Sequence, residues 1–135
     1  MNNKQIGNYF EKQFCDILSH HGFWCHRMQD KSNGQPFDVI ASKNNISSVI
    51  DCKACTNNIF QLSRMEQNQI YAMRKWISTG NDLAFFALKI GDEIRMLQYQ
   101  KLIELRELGV KSLKYEDIVY RGALLEDWIE AIYLE

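Results

Sequence analysis

A mixed α/β domain, with a central sheet of about five strands flanked by helices, is the fold class that the sequence predicts, and three patterns carry it. An amphipathic helical period opens the chain and another closes it. Two strand-like segments joined by a turn signal occupy residues 36–54, and residues 83–90 form an apolar run of the kind found in a buried strand. The chain is 135 residues long, enough for one hydrophobic core, so a single domain over 1–135 is expected.

Ile6, Phe10, Phe14, Ile17 and Leu18 recur at helical spacing until His21-Gly22 ends the pattern. Phe23 to Met28 reads as a short strand, and Asp30 to Pro36 as a polar loop with the only proline. Pro36 to Ser42 and Ile46 to Ala54 read as a hairpin across Lys43-Asn44-Asn45. A helix is predicted from about Ser63 to Ser78, with Met65, Ala72, Met73, Trp76 and Ile77 on its apolar stripe and Gly80 as its stop. Leu83 to Ile90 and Glu93 to Gln98 are two more strands about Gly91-Asp92. A short helical stretch follows Lys101, then the segment 112–118, and Leu124, Leu125, Trp128, Ile129 and Ile132 mark a last amphipathic helix.

Hydrophobic residues make up 46% and charged residues 24%, which excludes disordered and fibrous classes. No apolar run is long enough to span a bilayer or to serve as a signal core, so a cytoplasmic protein without membrane contact is expected. Four cysteines are too few for a disulfide scaffold. Cys52 and Cys55 have C-x-x-C spacing without the second half of a zinc quartet, and structural or incidental roles are expected for all four. The formal charge of −1 hides an asymmetry, because residues 1–75 carry a net +3 and residues 76–135 a net −4. A polyanion site therefore belongs in the first half.

Asp51 and Lys53 are two apart in a predicted strand, so their side chains share a face, and Asp38 lies across the hairpin from them. Two carboxylates and an ammonium converging on a sheet suit a hard divalent cation with a positive group beside it, a set able to hydrolyse a phosphodiester. From Asp-x-Lys alone, a salt-bridge cluster on a solvated strand is the favoured alternative. Gln69 is polar but sits three and four positions before Ala72 and Met73, which places it on a core-facing stripe where its amide needs a partner. For phosphate contact, Lys4, Lys12, Arg27, Lys31, Lys43, Arg64, Arg74 and Lys75 supply positive charge, to the extent that several share one face.

Gly34 to Ala41 followed by Ile50 to Ala54 resembles the signature of the PD-(D/E)xK nuclease superfamily, with its Pro-x-Asp spacing in Pro36-Phe37-Asp38. Within it the chain is similar to Holliday-junction resolvases of the RecU and archaeal types. Phe60 to Ser63 with Gln69 and Met73, Gly7 with Phe10-Glu11, and Leu124 to Trp128 extend the resemblance over most of the chain. It implies a restriction-endonuclease-like fold and metal ligation by Asp38, Asp51 and the backbone carbonyl of Cys52. It further implies Lys53 as catalytic lysine, and Glu11 acting through a water on the metal or as ligand to a second one. Gln69 would position Lys53 or a phosphate. Mg²⁺, replaceable by Mn²⁺, is the implied cofactor, with no organic cofactor. Branched DNA, a four-way junction, is the implied substrate, cut by a homodimer. A related nuclease for another DNA structure, or a degenerate DNA-binding module, is the alternative. Two departures are visible: aspartate stands at position 51 where the family commonly has glutamate, and Met28 to Pro36 is too short for the projecting RecU insertion, which places the chain nearer the archaeal type. Residues around Phe60, and Trp128 and Ile132 on the final helix, are candidates for the dimer surface, with core packing the favoured role of each.

Overall fold

The computed structural model describes residues 1–28 and 36–133. The expected polar loop before Pro36, with Lys31 and the Gly34-Gln35 part of the motif, lies outside the described residues.

Helix α1 (Asn3–His20) begins at a reciprocal cap in which the Asn2 side chain accepts from the Gln5 N–H and the Gln5 side chain accepts from the Asn2 N–H, both at 2.9 Å. Its buried face carries Phe10, Phe14 and Leu18. The chain then reverses at Gly22, in the left-handed region at φ +86°, into β1 (Trp24–Arg27). Strands β2 (Val39–Lys43) and β3 (Ile46–Ala54) form the expected hairpin. Its two-residue turn puts both Asn44 and Asn45 at positive φ, 53° and 66°, a geometry that asparagine tolerates and that matches the twist of the strands.

The short strand β4 (Phe60–Gln61) and a single 3-10 turn at Leu62–Arg64 precede α2 (Gln67–Ser78). The helix therefore starts later than its periodicity predicts, and buried Met65 belongs to the approach rather than to the helix. Then follow β5 (Ala84–Ile90), β6 (Glu93–Gln98), α3 (Tyr99–Glu107), β7 (Ser112–Leu113), α4 (Tyr115–Arg121), β8 (Ala123–Leu124) and α5 (Leu125–Tyr133).

Among the described residues the main sheet has six strands in the order β1-β2-β3-β5-β6-β8; the one beyond the five expected is the two-residue β8, too short to show a period. Among the described residues only β3 and β5 are parallel, joined across α2, and the other pairs of the sheet are antiparallel. A separate two-stranded ribbon pairs β4 with β7.

Alternation along the strands divides the core in two. One half packs Phe10, Phe14 and Leu18 of α1 and Trp128 and Ile129 of α5 against Val39, Ala41, Ile50 and Phe85. The other packs Ile70 and Met73 of α2 and Leu102 and Leu105 of α3 against Val49, Phe86 and Leu88. Burying a side chain of this size stabilises by roughly 1.5–3 kcal/mol. Phe60 is fully buried and Trp128 is 3% exposed, so both fill the core-packing role that the sequence favours for them. Gly122 is required by closeness: a Cβ there would lie 2.7 Å from Leu97 Cδ1 and 3.1 Å from the Ile118 carbonyl oxygen. No helix among the described residues is long and apolar enough to cross a membrane.

Candidate active site

Strand β3 lies between β2 and β5, and its central residues are fully covered. Asp51 and Lys53 project from one face, Ile50 and Cys52 from the other. Their pairing is direct, with Lys53 Nζ 3.1 Å from Asp51 Oδ2. Asp38 stands one residue before β2, where the strand stops. Its N–H donates to the Ile50 carbonyl at 3.1 Å, its carbonyl accepts from the Met28 N–H at 2.8 Å, and its Oδ2 accepts from the Cys52 N–H at 2.7 Å. The side chain thus takes the place of the next rung of the ladder. Within an extended strand the N–H and C=O of one residue point to the same side, so the Cys52 carbonyl also faces the position that β2 vacates.

Asp38 is 7% exposed and Asp51 is fully buried. Burial pushes Asp51 well above the usual carboxylate range, and the neighbouring Asp38 adds to it against the pull of Lys53. Burial also raises Asp38, with the Cys52 N–H drawing it back. Neither Asp51 oxygen receives a neutral hydrogen-bond donor among the described residues; their company is the Lys53 ammonium and the Asp38 carboxyl.

A cleft of about 690 Å³ opens over this pair. Asp38, Cys52, Lys53, Ala54 and Lys89 line it from the sheet, Asn3, Ile6, Gly7 and Glu11 from α1, and Arg64 and Gln69 from the 3-10 turn and α2; Asp51 lies sealed beneath. Glu11 reaches the cleft as the sequence predicts. Burial and then Asp38 raise its pKa, opposed by Arg27, whose Nη2 is 3.5 Å from Glu11 Oε1.

Gln69 is buried, as its stripe implies, but its partner differs from the expected lysine or phosphate: Oε1 accepts the Glu66 N–H at 3.0 Å and caps α2. Among the expected DNA contacts, Arg64 lines the cleft and its Nη1 donates to the Ala54 carbonyl at 2.8 Å. Lys12 is exposed and paired with Asp16 at 3.2 Å on the outer face of α1, away from the cleft, and Lys4 is exposed on the first turn. Lys31 lies outside the described residues. His20 and His21 bond the Asp16 and Ile17 carbonyls at the helix end, as their positions predict. Cys52 and Cys55 point to opposite sides of the sheet and form no pair. Lys89 was missed. Reading residues 83–90 as apolar passes over its single charge, which β3–β5 pairing sets beside Ala54 at the cleft.

Two carboxyls and a lysine at the end of a central hairpin, with a glutamate arriving from a helix laid across a mixed sheet, define a nuclease domain of restriction-endonuclease-like architecture. The chain belongs to the archaeal Holliday junction resolvase (Hjc) family, whose model matches residues 2–133. It is therefore an endonuclease of the junction-resolving kind, and the resemblance to both RecU and archaeal types resolves toward the archaeal one. In fold the chain is similar to Hjc of Archaeoglobus fulgidus, a Holliday junction resolvase from an archaeal hyperthermophile, with a TM-score of 0.69 and 18% identity over 90% of this chain and 98% of that one. Among curated proteins none matches the sequence significantly.

Proposed function

We propose that the protein resolves four-way DNA junctions by Mg²⁺-dependent hydrolysis of paired phosphodiesters, Mn²⁺ being able to substitute, and that it works as a homodimer with one cleft per chain. The observation that carries the reading is the sealed Asp51 carboxylate beside Asp38 and under a cleft that Glu11 also enters. Three carboxyls meet there under a shared desolvation penalty: burial raises all three, and Asp38 adds to the rise of Asp51 and Glu11. A divalent cation relieves it.

Among the described residues no three acidic, histidine or cysteine side chains are grouped closely enough to chelate a metal by themselves. The donor set that fits is therefore Asp38, Asp51 and the Cys52 carbonyl, completed by water, an all-oxygen set suited to Mg²⁺. When bound, the cation supplies Lewis-acid stabilisation of charge building on the phosphate and a more acidic water. Lys53, held by Asp51 at the cleft floor, orients the attacking water or stabilises the developing charge. Glu11 approaches from the opposite wall and helps to order that water. Gln69 keeps its Oε1 on the helix cap, which leaves its amide nitrogen as the group to offer a phosphate. Arg64 and Lys89 hold backbone phosphates along the cleft, Lys4 and Arg27 extend the contact outward, and Lys31 adds positive charge for the DNA.

The test is a labelled four-way junction and its matching linear duplex, each with Mg²⁺ and with chelator. The reading expects symmetric nicks in the junction with Mg²⁺ alone and little cutting of the duplex. Equal cleavage of both, or cleavage in chelator, overturns it.

A further inference from the structure

On the sheet face opposite the carboxylates, Cys15 of α1 and Cys25 of β1 bring their Sγ atoms to 3.0 Å, with the Cys25 thiol donating to the Cys15 sulfur. The approach is built into the fold. Four residues of α1 rise about 6 Å and two residues of β1 about 6.6 Å, so the Cys15–Cys25 contact and the Glu11–Arg27 ion pair are successive rungs between the same two elements. The tight reversal at Gly22, with the Phe23 N–H on the Leu18 carbonyl at 3.1 Å, holds these elements together at the near end. Covalent closure needs the sulfurs to approach by about 1 Å more. Cys52 and Cys55 have no such geometry, because three positions along an extended chain set them on opposite sides of the sheet.

We propose that Cys15 and Cys25 are an oxidation site, closed by a peroxide into an intramolecular disulfide that staples α1 to the edge strand of the sheet. The Cys15 sulfur attacks one peroxide oxygen, the O–O bond breaks, and the departing hydroxide takes the thiol's proton to leave as water. The Cys25 sulfur then attacks the Cys15 sulfenic acid; the S–O bond breaks, and the hydroxyl leaves with the Cys25 proton as a second water. Two thiols and one peroxide become one disulfide and two waters, with two electrons passing from sulfur to oxygen. Accepting the Cys25 hydrogen bond draws the Cys15 thiol below its ordinary range, which suits it to the first attack. Cys15 is buried and Cys25 only half-buried, so a small oxidant reaches the pair from the Cys25 side. The staple lands one helical turn from Glu11 and two strand residues from Arg27, so it clamps the α1 wall of the cleft against the sheet. The chemistry itself does not rest on the nuclease reading.

The full chain, reduced and then exposed to hydrogen peroxide, is denatured, alkylated, digested and analysed by mass spectrometry. A Cys15–Cys25 cross-linked peptide is expected, with Cys52 and Cys55 both alkylated, and dithiothreitol should restore all four thiols. The oxidised protein should melt higher than the reduced one, a difference that Cys25→Ser abolishes. In that variant dimedone should trap Cys15 as its sulfenic acid. Four intact thiols after peroxide, a cross-link between other cysteines, or a disulfide joining two chains overturns the proposal. Each readout is independent of DNA cleavage.

Discussion

The Oδ2 atom of Asp38 accepts the Cys52 backbone N–H at 2.7 Å, so a side chain continues the β2–β3 ladder one step beyond the end of β2. This bond fixes Asp38 by the main chain of the strand whose two neighbouring side chains, Asp51 and Lys53, complete the charged group. The carboxylate is therefore aimed by sheet geometry and not by a flexible loop.

Asp38→Asn and Lys53→Ala should each lower junction cleavage by about 10²-fold or more while junction binding largely survives, because both act on charge at the phosphate and not on duplex recognition. Gel-shift and single-turnover cleavage on one labelled junction separate the two effects. Near-normal cleavage by either variant removes that residue from the mechanism.

Asp51→Asn should abolish cleavage and yet stabilise the metal-free protein, by on the order of 1 kcal/mol for each pH unit through which Asp51 is raised. The sign follows from the direction of the shift. A carboxyl whose folded pKa is raised contributes stability that is present below its unfolded value, near 3.8, and is lost as pH climbs through the folded value. The melting-temperature advantage of Asp51→Asn over wild type, measured in chelator, should thus grow as pH rises from about 4 and then level off. A constant difference across that range contradicts a buried, raised Asp51.

Gln69 has two ends, and they can be tested apart. Gln69→Glu keeps an oxygen for the Glu66 N–H but exchanges the amide donor for negative charge in the cleft, so it should lose cleavage with little change in melting. Gln69→Ala should lose cleavage and also about 0.5–2 kcal/mol of stability with the cap. Unchanged cleavage in both variants leaves the residue as a helix cap only.

Junction affinity should fall steeply between roughly 50 and 200 mM salt despite the formal charge of −1, since counterion release depends on the local cations facing the phosphates. Lys89→Ala should flatten the log–log slope by about one. A slope already near zero in the wild type speaks against phosphate tracking.

Two chains should act on one junction, because each chain holds one Asp38–Asp51–Lys53 group and resolution requires two opposed nicks. Sedimentation at assay concentration should show a dimer, and a cruciform plasmid should pass to linear product with few nicked circles. A monomer that accumulates nicked circles under excess enzyme is the contrary result.

What the sequence made legible follows from period. The helix carrying Phe10 and Phe14, the Asn44-Asn45 hairpin and the strands about Gly91 each repeat a spacing over several residues, and each stands where expected. Strands β4, β7 and β8 hold two residues apiece, and the first two pair across some fifty positions, so neither periodicity nor neighbouring residues announce them. The site divides the same way. Asp51 and Lys53 were readable from alternation within one strand, and Glu11 and Asp38 from the family motif. Lys89 depends on a parallel pairing that only the folded sheet reveals, and the true partner of Gln69 is a main-chain N–H with no signature in the letters.

The pair of left-handed asparagines at the tip of the β2–β3 hairpin has a consequence at the hairpin's other end. Two residues is the shortest common connection between antiparallel strands, and it leaves no slack: Lys43 must face Ile46, and every later rung is counted from there. Five residues before Lys43, that count delivers Asp38 opposite the stretch where Asp51 and Lys53 emerge together. The turn thus serves as a gauge block, setting by arithmetic the alignment of acids it never touches, and a third residue inserted at that tip would misregister the chemistry without altering a single catalytic side chain.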